Sequence, residues 1–174
     1  DINRHMYIIV VAGLPGSGKS YFARRLTARL DAKHINSDAV RKAMGASGSY
    51  SFEDKLVVYT QMVKMTDRFL DEQKVVVVDA TFYHPTMRDM FLTIAQRRDI
   101  DIYFIQITAK ESLIEERLKK PREDSEADFQ VYKDIRAQLQ QMTNPHLNLE
   151  STNDNIESML NEAVAYIGSR HDNE

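Results

Sequence analysis

Eight consecutive residues constrain this chain more than any other feature. Gly13-Leu14-Pro15-Gly16-Ser17-Gly18-Lys19-Ser20 fits G-x-x-x-x-G-K-[ST], directly after the apolar run 7–12 and directly before a segment with helical spacing. Residues without a Cβ let such a turn curl its backbone N–H groups around an anion. The helix behind it adds the positive end of its dipole. The pattern therefore predicts a cradle for the phosphates of a nucleotide. Gly13, Pro15, Gly16, Ser17 and Gly18 shape the loop, Lys19 reaches the β- and γ-phosphates, and Ser20 ligates Mg²⁺.

The cradle needs a strand before it and a helix after it, and the rest of the chain repeats that alternation. Residues 19–30 place Phe22, Ala23, Leu26 and Leu30 on one helical face. Residues 34–36 read as a second strand, and Ser37 or Asp38 as the cap of a short helix through Met44. A Gly- and Ser-rich loop, 45–51, follows. Ser51 and Asp54 then open a long helix to about Gln73, with Leu56, Tyr59, Val63 and Leu70 as its buried stripe. The valines at 75–78 read as a strand covered on both faces. Pro85 starts a helix to about Arg97. Strands at 102–107 and 147–150 and helices at 110–119, 127–142 and 156–167 complete the order. This pattern predicts an α/β fold, with helices on both faces of a parallel sheet and a site beyond the carboxyl ends of the strands.

Composition narrows the function classes. A chain of 174 residues with 43% hydrophobic residues suits one domain spanning 1–174. No apolar run approaches the ~20 residues that cross a bilayer, so no membrane partner is expected. There are no cysteines, which excludes disulfides and thiolate metal sites and suits a cytoplasmic setting. Net charge is −3, against broad wrapping of duplex nucleic acid. The charge is uneven: residues 1–50 carry eight Lys/Arg against three Asp/Glu, and residues 101–174 eight against fifteen. A local basic site near the cradle fits that skew. Asp1 in place of an initiator Met suggests a piece of a larger protein.

Three further segments carry chemistry. In Asn36-Ser37-Asp38-Ala39-Val40-Arg41, Asp38 can accept the proton of an attacking hydroxyl and help organise Mg²⁺ or its waters. Arg41 lies one helical turn on and can grip a substrate phosphate. A capping Asp and a surface Arg have the same spacing; the cradle upstream favours chemistry. In the segment 75–81 an apolar strand ends in Asp79, the shape of a Walker B segment. Asp79 then sits near Mg²⁺ or orients the substrate, with Thr81 beside it; a turn-capping Asp is the plainer alternative. Arg88 follows, either reaching substrate or lying on a helix surface. Residues 117–128 read as a cationic lid, with Arg117 on the helix and Arg122 inside a Pro-containing break. Pairing with Glu115, Glu116, Glu123 and Asp124 is the alternative there. Tyr50 and Phe52 flank the loop on the predicted substrate side, whereas Tyr59, Met62 and Met65 read as core.

GLPGSGKS, NSDAVR, VVVVDAT and the Arg-bearing lid resemble the P-loop phosphotransferases related to adenylate kinase. Within them the polynucleotide 5′-kinase group is the nearest likeness, over about residues 7–142. The resemblance implies a three-layer P-loop NTPase fold, with a five-stranded parallel sheet in the order 2-3-1-4-5 and a mobile lid. It implies ATP or another NTP with Mg²⁺, and transfer of the γ-phosphoryl group to the 5′-hydroxyl end of single-stranded RNA or DNA. Asp38 would be the general base and Arg41 the contact to the phosphate next to the reactive end. Arg117, with Arg122, would engage the donor phosphates. Residues 147–154 would frame the nucleobase. Kinase domains of this size in repair proteins are commonly fused to a phosphatase or other end-processing domain. Two departures stand out. Phe82 occupies a position where this group often has Asn, and residues 79–88 also resemble seryl-tRNA kinases. A kinase of seryl-tRNA or of a small hydroxylated metabolite is therefore the alternative. A non-kinase nucleotide-binding module is a third, against which stands the lack of a second acidic residue after Asp79.

Overall fold

The computed structural model describes residues 6–46, 48, 50–120 and 128–171. The elements run β1 (Tyr7–Ala12), α1 (Lys19–Leu30), β2 (Lys33–Asn36), α2 (Ser37–Ala43), α3 (Phe52–Asp71) and β3 (Val76–Ala80). They continue with α4 (Pro85–Arg98), β4 (Asp101–Thr108), α5 (Glu111–Leu118), α6 (Phe129–Gln138), β5 (Leu147–Glu150) and α7 (Ile156–His171). The five strands are parallel and lie in the order β2-β3-β1-β4-β5, as the resemblance implies.

Successive side chains of a strand point to opposite faces. In β1, Ile8, Val10 and Ala12 join a core formed with Val40, Tyr59, Met62, Phe91 and Ile135 from α2, α3, α4 and α6. Tyr7, Ile9 and Val11 join a second core with Phe22, Leu26, Met159, Leu160 and Ala163 from α1 and α7. Every residue of β1 and β3 is buried, so both faces of the central strands are covered. The loops leaving β1, β2 and β3 meet at one edge, which positions the site. Among the described residues no helix is long and apolar enough to cross a membrane.

Several expectations need correction. Asn36, rather than Ser37 or Asp38, caps α2: its side chain accepts from the Ala39 N–H at 2.9 Å. That leaves Asp38 inside the first turn with its carboxylate free for other partners. The buried stripe of α3 is rotated from the one expected. Lys55, Val58, Tyr59, Met62, Thr66 and Leu70 are buried, while Leu56 and Val63 are half-buried. β3 extends through Asp79 to Ala80. Helix α6 ends at Gln138, short of residue 142. Its continuation is diverted because the Gln140 N–H donates to the Tyr83 carbonyl at 2.8 Å, and Arg88 takes the carbonyls of Gln140 and Gln141. Of the expected lid, Arg117–Lys120 and Asp128 are described; Arg122 lies outside the described residues.

Candidate active site

The glycine loop joins β1 to α1 without a side-chain cap on the helix. Gly18 is the N-cap, at φ +94°, a conformation that L side chains rarely adopt. A Cβ at Gly18 would also stand 3.2 Å from Ser151 Oγ. Gly13 is held closer still: a Cβ there would meet Ser17 Oγ at 2.6 Å and the Ile107 carbonyl at 2.8 Å. Ser17 Oγ is buried without a hydrogen-bond partner, an orphaned polar atom inside a loop of backbone donors. This cradle suits a phosphate chain. Beside it lies a cavity of about 530 Å³, lined by Lys19, Ser20, Tyr21, Arg117, Asn153 and Ile156 among others, a size ordinary for a nucleotide-class ligand.

Arg117 forms the far wall. It donates to the Gly16 carbonyl and to Ser151 Oγ, both at 3.0 Å, and to the Thr152 carbonyl at 3.2 Å. Ser151 Oγ in turn donates to the Ser17 carbonyl at 2.5 Å. One guanidinium thus ties α5 and the loop after β5 to the cradle. Sequence reasoning found Arg117 and the segment 147–154 that contains Ser151, but not the contact between them, which follows from the pairing of β5 with β4; Tyr21, on α1 directly after Ser20, carried no motif signal.

Ser20 is oriented from behind. Its hydroxyl donates to Asp79 Oδ1 at 2.8 Å and accepts from Asn36 Nδ2 at 3.2 Å, while Asn36 also donates to the same Asp79 oxygen at 2.9 Å. His34 Nε2 meets the other carboxylate oxygen, Oδ2. A hydroxyl has one hydrogen and two lone pairs, so this arrangement leaves one lone pair of Ser20 for a cation. Asp79 is fully buried. Its carboxylate is turned to Ser20, Asn36 and His34 and lines neither cavity. The partners come together because β2 and β3 pair in parallel with Asn36 opposite Asp79. His34 and Asn36 carried no motif signal. Among the described residues no three His, Asp or Glu side chains gather as a metal site. The donor set fits Mg²⁺ held by Ser20 together with phosphate oxygens and water, the coordination that ion favours.

On the other side of Lys19 is a tighter cleft of about 30 Å³. Asp38, Arg41, Lys55, Tyr59 and Thr81 line it, and Lys19 lines both cavities. Arg41 Nη1 donates to Asp38 Oδ1 at 2.6 Å, as their spacing on α2 predicts. Arg41 is buried, lies over the Tyr50 ring at 5.0 Å, and its Nε has no acceptor. Lys55 is buried too, its ammonium 4.5 Å above the Tyr83 ring. Burial, then the nearby Arg41 charge, lower its pKa to about 8. Burial pushes the Tyr59 phenol up to about 12, so it stays neutral; its oxygen accepts from the Phe82 N–H at 3.0 Å. Lys55 was missed because a lone Lys near a helix start reads as a surface charge.

Phe82 sits at φ +48°, where Asn or Gly is more comfortable, and this gives the Phe82 departure a physical setting. Arg88 lines neither cavity. Its Nε donates to the Phe82 carbonyl at 3.0 Å, and its other nitrogens go to the Gln140 and Gln141 carbonyls. Arg88, read as reaching substrate or lying on a helix surface, is instead buried and clamps the backbone.

Solved structures similar to this chain share the fold. A gluconokinase from Sinorhizobium meliloti 1021 has a TM-score of 0.76 at 18% identity, covering 98% of this chain and 96% of that one. The Mycobacterium tuberculosis APS kinase CysC, in complex with AMPPNP and APS, has a TM-score of 0.75 at 20% identity, covering 94% and 98%. Kti12 from Chaetomium thermophilum, in complex with ADP-AlF3, has a TM-score of 0.66 at 18% identity, covering 91% and 97%. No curated protein matches the chain. The fold is that of P-loop kinases: a five-stranded parallel sheet in the order 2-3-1-4-5, with helices on both faces. The family model described as an AAA domain, AAA_33, matches residues 8–145, and with its cradle, sheet order and buried Asp79 this chain belongs to that family.

Proposed function

We propose that this protein is a phosphotransferase that moves the γ-phosphoryl group of a Mg²⁺-bound nucleoside triphosphate to a hydroxyl acceptor. The observation that carries the reading is Lys19, which lines the large cavity beside the cradle and the tight cleft holding Asp38 and Arg41. A γ-phosphoryl group held by Lys19 would lie at the junction of the two. In this reading the acceptor hydroxyl gives its proton to Asp38 as its oxygen bonds to the γ-phosphorus. The bond from that phosphorus to the bridging oxygen breaks, and the nucleoside diphosphate leaves. Mg²⁺, when bound through Ser20, supplies charge neutralisation for the phosphates. Arg117 holds the donor side closed, and with Arg122 it would cover the transferring group.

For the acceptor we propose the 5′-hydroxyl end of single-stranded RNA or DNA. The order Asp38, Arg41 supports it, since a base and an adjacent phosphate grip are what such an end requires. A small hydroxylated metabolite is a second reading. The small volume of the cleft favours it, as do the names gluconokinase and APS kinase among the similar structures. The test is label transfer from γ-labelled ATP, with Mg²⁺, to a short 5′-OH RNA and to small polyols and nucleotides in parallel. Label on RNA, absent with 5′-phosphorylated RNA, supports the first reading; label only on small acceptors supports the second. Nucleotide hydrolysis unchanged by every acceptor contradicts both.

A further inference from the structure

Lys55 has no part in the reading above, yet it is among the most buried charges of the described residues. Its residue is 4% exposed, and among the described residues no carboxylate pairs with it. A buried ammonium without an anion is costly, and the Tyr83 ring beneath it offsets only part of that cost. Arg41, on the neighbouring helix, is 6% exposed and keeps an unpartnered Nε. Lys19, Arg41 and Lys55 line one cleft against the single carboxylate of Asp38. Lys19 belongs to the donor phosphates, which leaves two cations facing one anion.

We propose that Lys55 adds a second cation to the phosphate grip already read for Arg41, at the inner wall of the acceptor cleft, and is the residue that selects acceptors carrying a phosphate beside the reactive hydroxyl. This rests on the proposed phosphotransferase reading and names the acceptor's chemistry. The donors rise from two helices, α2 and α3, and so converge on an anion from different directions. That suits the tetrahedral array of phosphate oxygens better than a planar carboxylate. Either a phosphodiester of a polynucleotide end or a phosphomonoester of a metabolite supplies that chemistry.

The subsite has a pH signature. The groups around Lys55 are Asp38 and Arg41 on α2, Tyr50 before α3, Tyr59 on α3, Tyr83 after β3 and Lys19 on α1. Lys55 loses its charge as pH rises through about 8, and a bound anion favours the charged form. Affinity for the anion therefore falls above that pH.

The first arm measures binding of inorganic phosphate to the whole chain, with the donor site saturated by a non-hydrolysable ATP analogue and Mg²⁺. We expect Lys55→Met to weaken phosphate about tenfold or more, and Lys55→Arg to restore it. The weakening seen for wild type above pH 8 should vanish in Lys55→Arg. The second arm compares transfer to a 5′-OH dinucleotide with a normal phosphodiester and to one with a neutral methylphosphonate link. Lys55→Met should raise KM about tenfold for the charged acceptor, with kcat within about twofold, and leave the neutral one unchanged. Phosphate affinity equal in wild type and Lys55→Met overturns the proposal, as does equal loss toward charged and neutral acceptors. Phosphate binding that depends on Lys55, without transfer to any dinucleotide, upholds the subsite and rejects the polynucleotide acceptor. Transfer to RNA indifferent to Lys55→Met upholds that acceptor and rejects the subsite.

Discussion

At the residue scale, Lys55 and Asp79 illustrate how burial converts a charge into a constraint. The Lys55 pKa is lowered from 10.5 to about 8, so the charged side chain opposes folding by on the order of 3 kcal/mol at neutral pH. The sign follows from proton counts. Below pH 8 both folded and unfolded chains hold the proton, and the full cost stands. Between about 8 and 10.5 the unfolded chain binds more protons, so stability rises with pH; above 10.5 the cost is gone. Lys55→Met should therefore be more stable than wild type at pH 7, with the difference shrinking from pH 8 to 10.5 in paired denaturation curves. Asp79 works through Ser20. Asp79→Asn is expected to raise the Mg²⁺ concentration for half-maximal activity about tenfold or more, the range seen when partners that orient metal ligands are lost. Titration of activity with Mg²⁺ checks this; an unchanged midpoint would contradict the orienting role. Lys19 and Ser20 were legible in the sequence because their signal is local. His34 and Asp79 lie 45 positions apart, and nothing in either segment reveals the contact until β2 pairs with β3.

At the scale of elements, the loop between β3 and α4 and the chain after α6 are joined by Arg88. Its three carbonyl partners come from Phe82, Gln140 and Gln141. Burial lowers its pKa, which is the cost of placing a guanidinium there. Arg88→Met leaves those carbonyls without a donor and should destabilise by about 3 kcal/mol, a fall in Tm of roughly 6–12 °C. Thermal unfolding tests this, and an unchanged Tm with a raised acceptor KM would return Arg88 to the substrate. The order of strands and helices was legible because apolar periodicity and the Gly, Pro and Ser signals are local. The end of α6 was not, because Tyr83 and Arg88 divert it from more than 50 residues upstream. The stripe of α3 was misplaced by a related cause: periodicity rewards apolar residues, and Lys55 is a polar residue on the buried face. Gly18→Ala is expected to abolish nucleotide binding while the fold survives, since φ +94° and the contact with Ser151 confine the change to the cradle. Titration with a fluorescent ATP analogue checks this.

At the scale of the whole molecule, the sheet brings two cavities of different size to one edge and places Lys19 between them. The large cavity is bounded by α1, α5 and the loop after β5, so a nucleotide seated there would touch elements far apart in sequence. Saturation with Mg²⁺–nucleotide at 100 times its Kd should therefore raise stability by about 2.7 kcal/mol, read as a higher Tm. The cradle was largely legible in the sequence, because it is one continuous segment. The tight cleft was half legible: Asp38 and Arg41 share one short helix, while Lys55 and Tyr59 reach it only through packing. The measurement that tests the account most directly is transfer from γ-labelled ATP to the accepted hydroxyl substrate by wild type and Asp38→Ala, with nucleotide binding measured on the same samples. Asp38→Ala should bind nucleotide as wild type does and transfer label at least about a hundredfold more slowly. Equal transfer rates would contradict the role of Asp38 as base.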